Sequence, residues 1–193
     1  MKILIAVTGG IAAYKIPSVV SVLVDKGHFV KVMMTKAAEQ FITPLTFSAL
    51  SHNPVYGEHN RFMPDGHIHH IELADWADII VVAPATYNTI SKIEQNLADN
   101  LVTSTIAAFT KKVLIFPAMN THMWENGCFN STIFKETNST RQIAMIPPAE
   151  GKMACGTVGP GKLLGVREII KVIETVSTID GIKEYFKERK KED

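Results

Sequence analysis

Residues 113–116, VLIF, form an unbroken apolar run of β-branched, aliphatic and aromatic side chains. A run this short, with no polar position for solvent, reads as a strand covered on both faces. Strands of that kind belong to parallel sheets with helices above and below. Pro117 cannot extend a central strand, so the chain must turn there. The same pattern predicts strands at Lys2–Val7, Phe29–Met34, 78–83 and 142–146. Helical spacing falls between them, over 11–26 (ending at Gly27), 37–41, 46–50, 73–77, 91–97 and 101–109. A mixed helical stretch covers 123–136 and a closing helix 168–176. Pro17 either kinks the first helix or marks its start. Residues 52–67 read as a loop, and 151–165, with five glycines and one proline, as a flexible loop or flap. Strands alternating with helices give an α/β fold, a doubly wound, Rossmann-like parallel sheet with helices on both faces. One domain is expected over 1–176, followed by a charged tail at 177–193.

Composition narrows the function classes. The 193 residues include 46% hydrophobic residues, enough for one sizeable core. Formal charge is +1, with 20 basic and 19 acidic residues, which leaves no broad basic surface for nucleic acid or an anionic membrane. The apolar runs are far too short to span a bilayer. Residues 1–7 run straight into a strand pattern, without the features of a secretory signal. Cys128 and Cys155 stand alone, with no CxxC and no disulfide framework, as expected in a reducing cytoplasm.

In an open parallel sheet, ligands bind just beyond the carboxyl ends of the strands. Several polar residues fall there. Thr8-Gly9-Gly10 follows the first strand, where paired glycines let backbone N–H groups approach an anion at a helix start. The spacing is not GxGxxG, so a standard dinucleotide fingerprint is absent. Thr35 closes the second strand, and Thr86, Asn88 and Thr89 follow the third; each alone reads as a helix cap, and together they suit a ligand with a phosphate and a polar ring. Asn120 follows the strand at 113–116, set among Met119, Met123 and Trp124. His70 precedes a carboxylate and suits a general base, while a capping histidine is the plainer reading. The histidines at 67, 69 and 70 have no matching ligand cluster elsewhere, so no metal site is expected. Cys155 lies in the glycine-rich stretch, where a thiol can deliver a proton as a flap closes; Cys128 reads as structural.

The pieces VTGGIAAYK (7–15), HIEL (70–73), APATYNT (83–89), ADNLV (98–102), PAMNTHMW (117–124) and ACGTVGPGKL (154–163) resemble the flavin-containing cysteine decarboxylases, in order over 1–176. The resemblance implies FMN, contacted by Gly9, Gly10, Ile11, Thr35, Thr86, Tyr87, Asn88, Thr89, Ala118 and Met119. It implies His70 as catalytic base, Asn120 as the substrate-binding amide, and Lys152, Met153 and Ala154 as the flap over the substrate. Cys155 becomes the proton donor. The implied reaction decarboxylates phosphopantothenoylcysteine to phosphopantetheine in coenzyme A biosynthesis. Flavin oxidation gives a thioaldehyde, CO₂ leaves, and the enethiol is reduced again. Homo-oligomers are implied, trimers or tetramers of trimers, with the flavin site between subunits. Lys162 stands where many relatives carry arginine; both are cationic. Because the chain stops after its tail, a monofunctional enzyme is expected, with another protein supplying its substrate. A peptidyl-cysteine decarboxylase of lantibiotic maturation and a non-catalytic flavin-binding regulatory subunit are the alternatives. A prenyl-transferring flavoprotein lacks PAMN and the cysteine flap, and a nicotinamide-dependent reductase is weakened by the missing fingerprint.

Overall fold

Alternate residues of β5 (Lys112–Pro117) go to two different cores: Val113 and Ile115 to one, Leu114 and Phe116 to the other. β1 (Lys2–Val7) divides in the same way, with Ile3, Ile5 and Val7 on one side and Leu4 and Ala6 on the other. Both strands are buried on both faces, as their uninterrupted apolar runs require. The computed structural model describes residues 1–60, 66–127, 134–136 and 142–175. Cys128 and the tail at 177–193 lie outside the described residues.

The main sheet adds β2 (Phe29–Met34), β3 (Val55–Tyr56), β4 (Ile79–Ala85), β6 (Phe134–Glu136) and β7 (Gln142–Met145). Among the described residues the strand order is β3–β2–β1–β4–β5–β7–β6. Every pair is parallel except β6 with β7, which is antiparallel at the sheet edge. The chain moves outward from β1 in one direction to β2 and returns to β4 on its other side, so β1 and β4 flank the switch point.

On one face, α1 (Ile16–Asp25), α2 (Pro44–Ser51) and α7 (Val166–Thr175) contribute Leu23, Phe47 and Ile173 to the first core. On the other, α3 (His69–Trp76), α4 (Tyr87–Glu94) and α5 (Leu101–Ala108) contribute Leu73, Ile90 and Ile106 to the second. Each fully buried side chain of this kind stabilises the fold by about 1.5–3 kcal/mol. The helices are only eight to ten residues long, so packing, rather than intrinsic propensity, holds them. No helix among the described residues is long and apolar enough to cross a membrane.

Four local expectations are decided, three of them as corrections. Residues 11–15 form a 3-10 helix, and the α-helix proper starts at Ile16 with Pro17 in its first turn, where the missing N–H is not needed; of the two expected readings of Pro17, the helix start holds. The stretch 52–67 is not all loop: Val55 and Tyr56 pair with Val32 and Met33 as an edge strand, followed by a 3-10 turn, Glu58–Asn60. Among the described residues of the mixed stretch 123–136, helix is confined to α6 (Thr121–Asn126), and Phe134–Glu136 is a strand. The fourth concerns 151–165, whose first part forms an ordered hairpin of β8 (Ala149–Lys152) and β9 (Val158–Lys162). Its glycines are there for close approach. Gly161, at φ +137, carries no Cβ because one would strike the Met119 carbonyl oxygen, and a Cβ on Gly159 would lie 2.8 Å from Thr121 Cγ2.

Candidate active site

Thr8 stands at the end of β1 with its side chain fully buried. Its hydroxyl donates to the Pro84 carbonyl at 2.6 Å and accepts the Thr86 N–H at 3.0 Å. One side chain thereby joins the carboxyl ends of β1 and β4, the two strands at the switch point. Beyond it, a Cβ added to Gly9 would collide with Ala37, while one on Gly10 would meet only Thr86 Cγ2, at 3.6 Å. Gly9 lets the turn pack on the neighbouring loop, and Gly10 leaves the backbone open to a ligand. Thr86 caps α4, accepting from Thr89 N at 3.4 Å and donating to Thr89 Oγ1 at 3.2 Å. Thr35 caps the turn after β2 through Ala38 N at 3.3 Å.

These rims border one cavity of about 1020 Å³, at the upper end of the range usual for small-molecule and cofactor sites. Gly9, Gly10, Ile11, Thr35, Thr86, Tyr87, Asn88 and Thr89 line it from the β1, β2 and β4 side. Ala118, Met119 and Asn120 line it from the end of β5, and Lys152, Met153, Ala154 and Cys155 from the hairpin. Of the site residues that the resemblance implies, His70 is the exception: it lies half-buried on the first turn of α3 and does not line this cavity.

The hairpin is docked rather than loose. Met119 N donates to the Gly161 carbonyl at 2.9 Å, and Thr121 Oγ1 lies 3.9 Å from Met153 Sδ. At its tip, Met153 N bonds to the Thr157 carbonyl and Gly156 N to the Met153 carbonyl, each at 2.9 Å. That tight turn presents Cys155, an exposed free thiol, toward α6. Asn120 is the N-cap of α6, its Oδ1 accepting from His122 N at 2.9 Å, and its Nδ2 reaches Cys155 Sγ at 3.5 Å. An amide has two N–H groups and one carbonyl oxygen. One N–H faces the thiol, the oxygen is engaged by the cap, and the second N–H remains for a ligand. Hydrogen bonds from Thr157 first, and from Asn120 after it, draw the Cys155 thiol down to about 7.

Several cavity residues were not marked in the sequence as ligand contacts: Tyr14, Lys15, Lys36, Glu58, Lys92 and Asn100. With Lys152 and Lys162 they give a wall with five lysines and one carboxylate. Lys92 is paired with Asp99 at 2.5 Å, and Glu58 accepts from Leu101 N at 2.7 Å. Burial, then the neighbouring Lys162 charge, lowers the Lys15 ammonium. Lys36 was within reach of the strand-end argument, since it directly follows Thr35. Tyr14, Lys15 and Glu58 come together only through tertiary structure. The set fits a flavin: an open glycine turn and a helix start for an anionic tail, and the exposed apolar side chains of Ile11, Tyr14 and Met123 for a flat ring. Among the described residues, no group of three or more His, Cys, Asp or Glu is placed to hold a metal ion.

The flavoprotein family model matches residues 1–178. The coenzyme A biosynthesis bifunctional protein CoaBC of Bacillus subtilis is 42% identical over 176 residues, covering 90% of this chain and 42% of its own. The chain thus spans about two fifths of the length of such bifunctional relatives. A probable phosphopantothenoylcysteine decarboxylase of Streptococcus mutans is 42% identical over 182 residues, covering 90% of this chain and 97% of that protein. Among solved structures, a cysteine-to-serine variant of PPC decarboxylase complexed with pantothenoylaminoethenethiol is similar with a TM-score of 0.72 and 29% identity. That match covers 90% of this chain and 96% of that one. A family match over nearly the whole length, joined to this fold and this cavity, places the chain in the flavoprotein family.

Proposed function

We propose that this chain is an FMN-dependent decarboxylase that converts phosphopantothenoylcysteine to phosphopantetheine in coenzyme A biosynthesis. The observation that carries the reading is the meeting of Asn120 with Cys155 on the wall of a flavoprotein's cavity. The names of the Streptococcus mutans relative and of the PPC decarboxylase structure support it. FMN would be held by the Gly9–Gly10 turn, Thr35 and the start of α4, with its ring against Ile11, Ala118 and Met119. When bound, it supplies two-electron oxidation at the carbon bearing sulfur and returns those electrons after CO₂ has left.

The chain's own residues do the rest. Asn120 offers its remaining N–H to the substrate carboxylate and aligns it for loss, with Met153 and Ala154 closing over it and Lys152 at the rim. Cys155 gives a proton to the enethiol, so that a saturated thiol leaves. His70 is the base that assists removal of the thiol proton. Because it lies outside its own chain's cavity, it acts in the site of a neighbouring copy, in a homotrimer or a tetramer of trimers. Residues 1–176 form the catalytic domain, and the enzyme works in the cytoplasm. A regulatory flavin-binding subunit is disfavoured because His70, Asn120 and Cys155 are all present.

The test is to purify the protein, record its visible spectrum and incubate it with phosphopantothenoylcysteine. A yellow protein with FMN released on denaturation, and a product lighter by CO₂ alone, are expected. A colourless protein that takes up no flavin, or a coloured one that leaves the substrate intact, overturns the reading.

A further inference from the structure

We propose that Thr157 is a positioning residue for the Cys155 thiol, orienting Sγ toward Asn120 with its hydroxyl and backbone N–H and holding the thiolate left after proton transfer. The inference rests on the reading of Cys155 as proton donor and assigns a role to a residue outside the cavity lining.

Thr157 and Asn120 meet at one sulfur. The Cys155 thiol donates to Thr157 Oγ1 at 3.4 Å and accepts from Asn120 Nδ2 at 3.5 Å; once the proton has left, the hydroxyl can turn to donate, and the Thr157 N–H favours the thiolate as well. The turn builds this arrangement: the Met153 N bond to the Thr157 carbonyl closes the loop, and Gly156, at φ +89, reverses the chain between cysteine and threonine. In an extended strand, residues two apart share a face but sit about 6.5–7 Å apart along the chain. Here the left-handed glycine brings the two side chains together.

The chemistry explains why the contact matters. At the end of the proposed reaction the enethiol double bond gains two electrons and two hydrogens; bound FMN would supply a hydride to one carbon, and the other carbon takes a proton. The proton comes from Sγ: its S–H bond breaks and the electron pair stays on sulfur as thiolate, which solvent later reprotonates. An amide already aimed at that sulfur, and a hydroxyl that need only turn its proton, stabilise the charge as it develops. The lowered pKa of the thiol agrees, since its largest cause is the hydrogen bond with the Thr157 hydroxyl. Charged groups also occupy the elements around the tip: Lys152 on β8, Lys162 on β9, and His122 and Glu125 on α6. None of these is among the causes of the shift, all of which are hydrogen bonds or burial.

The experiment uses the flavin-loaded protein and two variants, Thr157→Val and Thr157→Ser. Alkylation of Cys155 by iodoacetamide is followed across pH, with peptide mass spectrometry separating it from Cys128. The ratio of unsaturated to saturated product is read in parallel. In Thr157→Val the alkylation midpoint should rise by about one unit and the unsaturated product should accumulate. Thr157→Ser, which keeps the hydroxyl, should restore both. An unmoved midpoint in the valine variant, or an equal rise in the serine variant, overturns the role of Thr157. Failure of the wild-type protein to decarboxylate the substrate defeats the proposed function instead, and the thiol titration still decides the contact.

Discussion

Asn120 Nδ2 and Cys155 Sγ lie 3.5 Å apart although 35 positions separate them in the chain. The contact forms because β5 and the hairpin end side by side, locked by the Met119 N bond to the Gly161 carbonyl. Asn120 therefore has two separable jobs, capping α6 and presenting an N–H to the cavity. Asn120→Ala removes both: unfolding stability should fall by about 1 kcal/mol for the lost cap, and kcat/KM by roughly two orders of magnitude or more. Asn120→Asp keeps an acceptor for His122 N, so its melting temperature should stay near wild type. Its negative charge opposes the substrate carboxylate, so activity should be lost all the same. Thermal melts with steady-state kinetics on both variants make the comparison.

If Cys155 is the proton donor, Cys155→Ser removes that donor and leaves the carboxylate contact proposed for Asn120. It should release CO₂ and accumulate a product two hydrogens lighter than phosphopantetheine, seen by mass spectrometry. Normal product formed at the wild-type rate would show that the proton comes from elsewhere.

Gly161 has a backbone conformation that L side chains rarely adopt, and a Cβ there would strike the Met119 carbonyl. Gly161→Ala should destabilise the protein by about 2 kcal/mol or more and unseat the hairpin. Gly27 is also left-handed, at φ +81, but nothing lies within 4 Å of a Cβ built on it. Gly27→Ala should cost only the conformational penalty, about 1–2 kcal/mol. Denaturant titration gives both values, and only the Gly161 variant should also change Cys155 alkylation.

Glu174 on α7 binds Lys26, at the end of α1, with N···O distances of 2.7 and 2.9 Å, and His28 Nε2 lies 3.5 Å away. The Lys26 hydrogen bond is the main cause holding the carboxyl below its ordinary 4.5. A depressed carboxylate stabilises the native state above its unfolded value, and that contribution disappears as pH falls through the folded one. Glu174→Gln should therefore lower stability at pH 7, by under about 1 kcal/mol because the pair is largely solvated. Once the pH has fallen below the folded value, the variant and the wild type should melt together. Paired thermal melts across that range are the check.

If His70 serves a neighbouring copy's cavity, two variants that each fail to make phosphopantetheine should complement each other. Co-expressed His70→Asn and Cys155→Ser chains would form about a quarter of their sites from intact residues by random assembly. Recovery of that fraction of wild-type turnover is expected. A mixture as inactive as either parent would put His70 and Cys155 of one chain in the same site.

The sheet was legible because the strands at 3–7, 79–85 and 113–116 are apolar at every position, a pattern only a doubly covered sheet satisfies. β3 was not, since two residues after Pro54 are too few to show a period. The hairpin was misread for a different reason. Glycine density signals freedom when only local sequence is counted, whereas Gly159 and Gly161 answer to Thr121 and Met119, more than 35 residues away. The site's rim followed from strand ends and the quoted motifs, so Gly10, Thr35, Thr86, Asn120 and Cys155 could be found in advance. Lys15 and Glu58 could not, because nothing near them in sequence says which surface the fold will turn inward. His70 was marked by its chemistry, and chemistry alone does not say whose cavity a side chain faces.

Thr8 spends its hydroxyl entirely on the neighbouring strand end, giving to Pro84 and receiving from Thr86. The glycine turn after β1 and the start of α4 are thereby tied into one stretch of rim. A stretch set by its own framework needs no guest to shape it, so loading requires no backbone rearrangement there. Protein stripped of its guest should keep that stretch in place and refill without first having to refold.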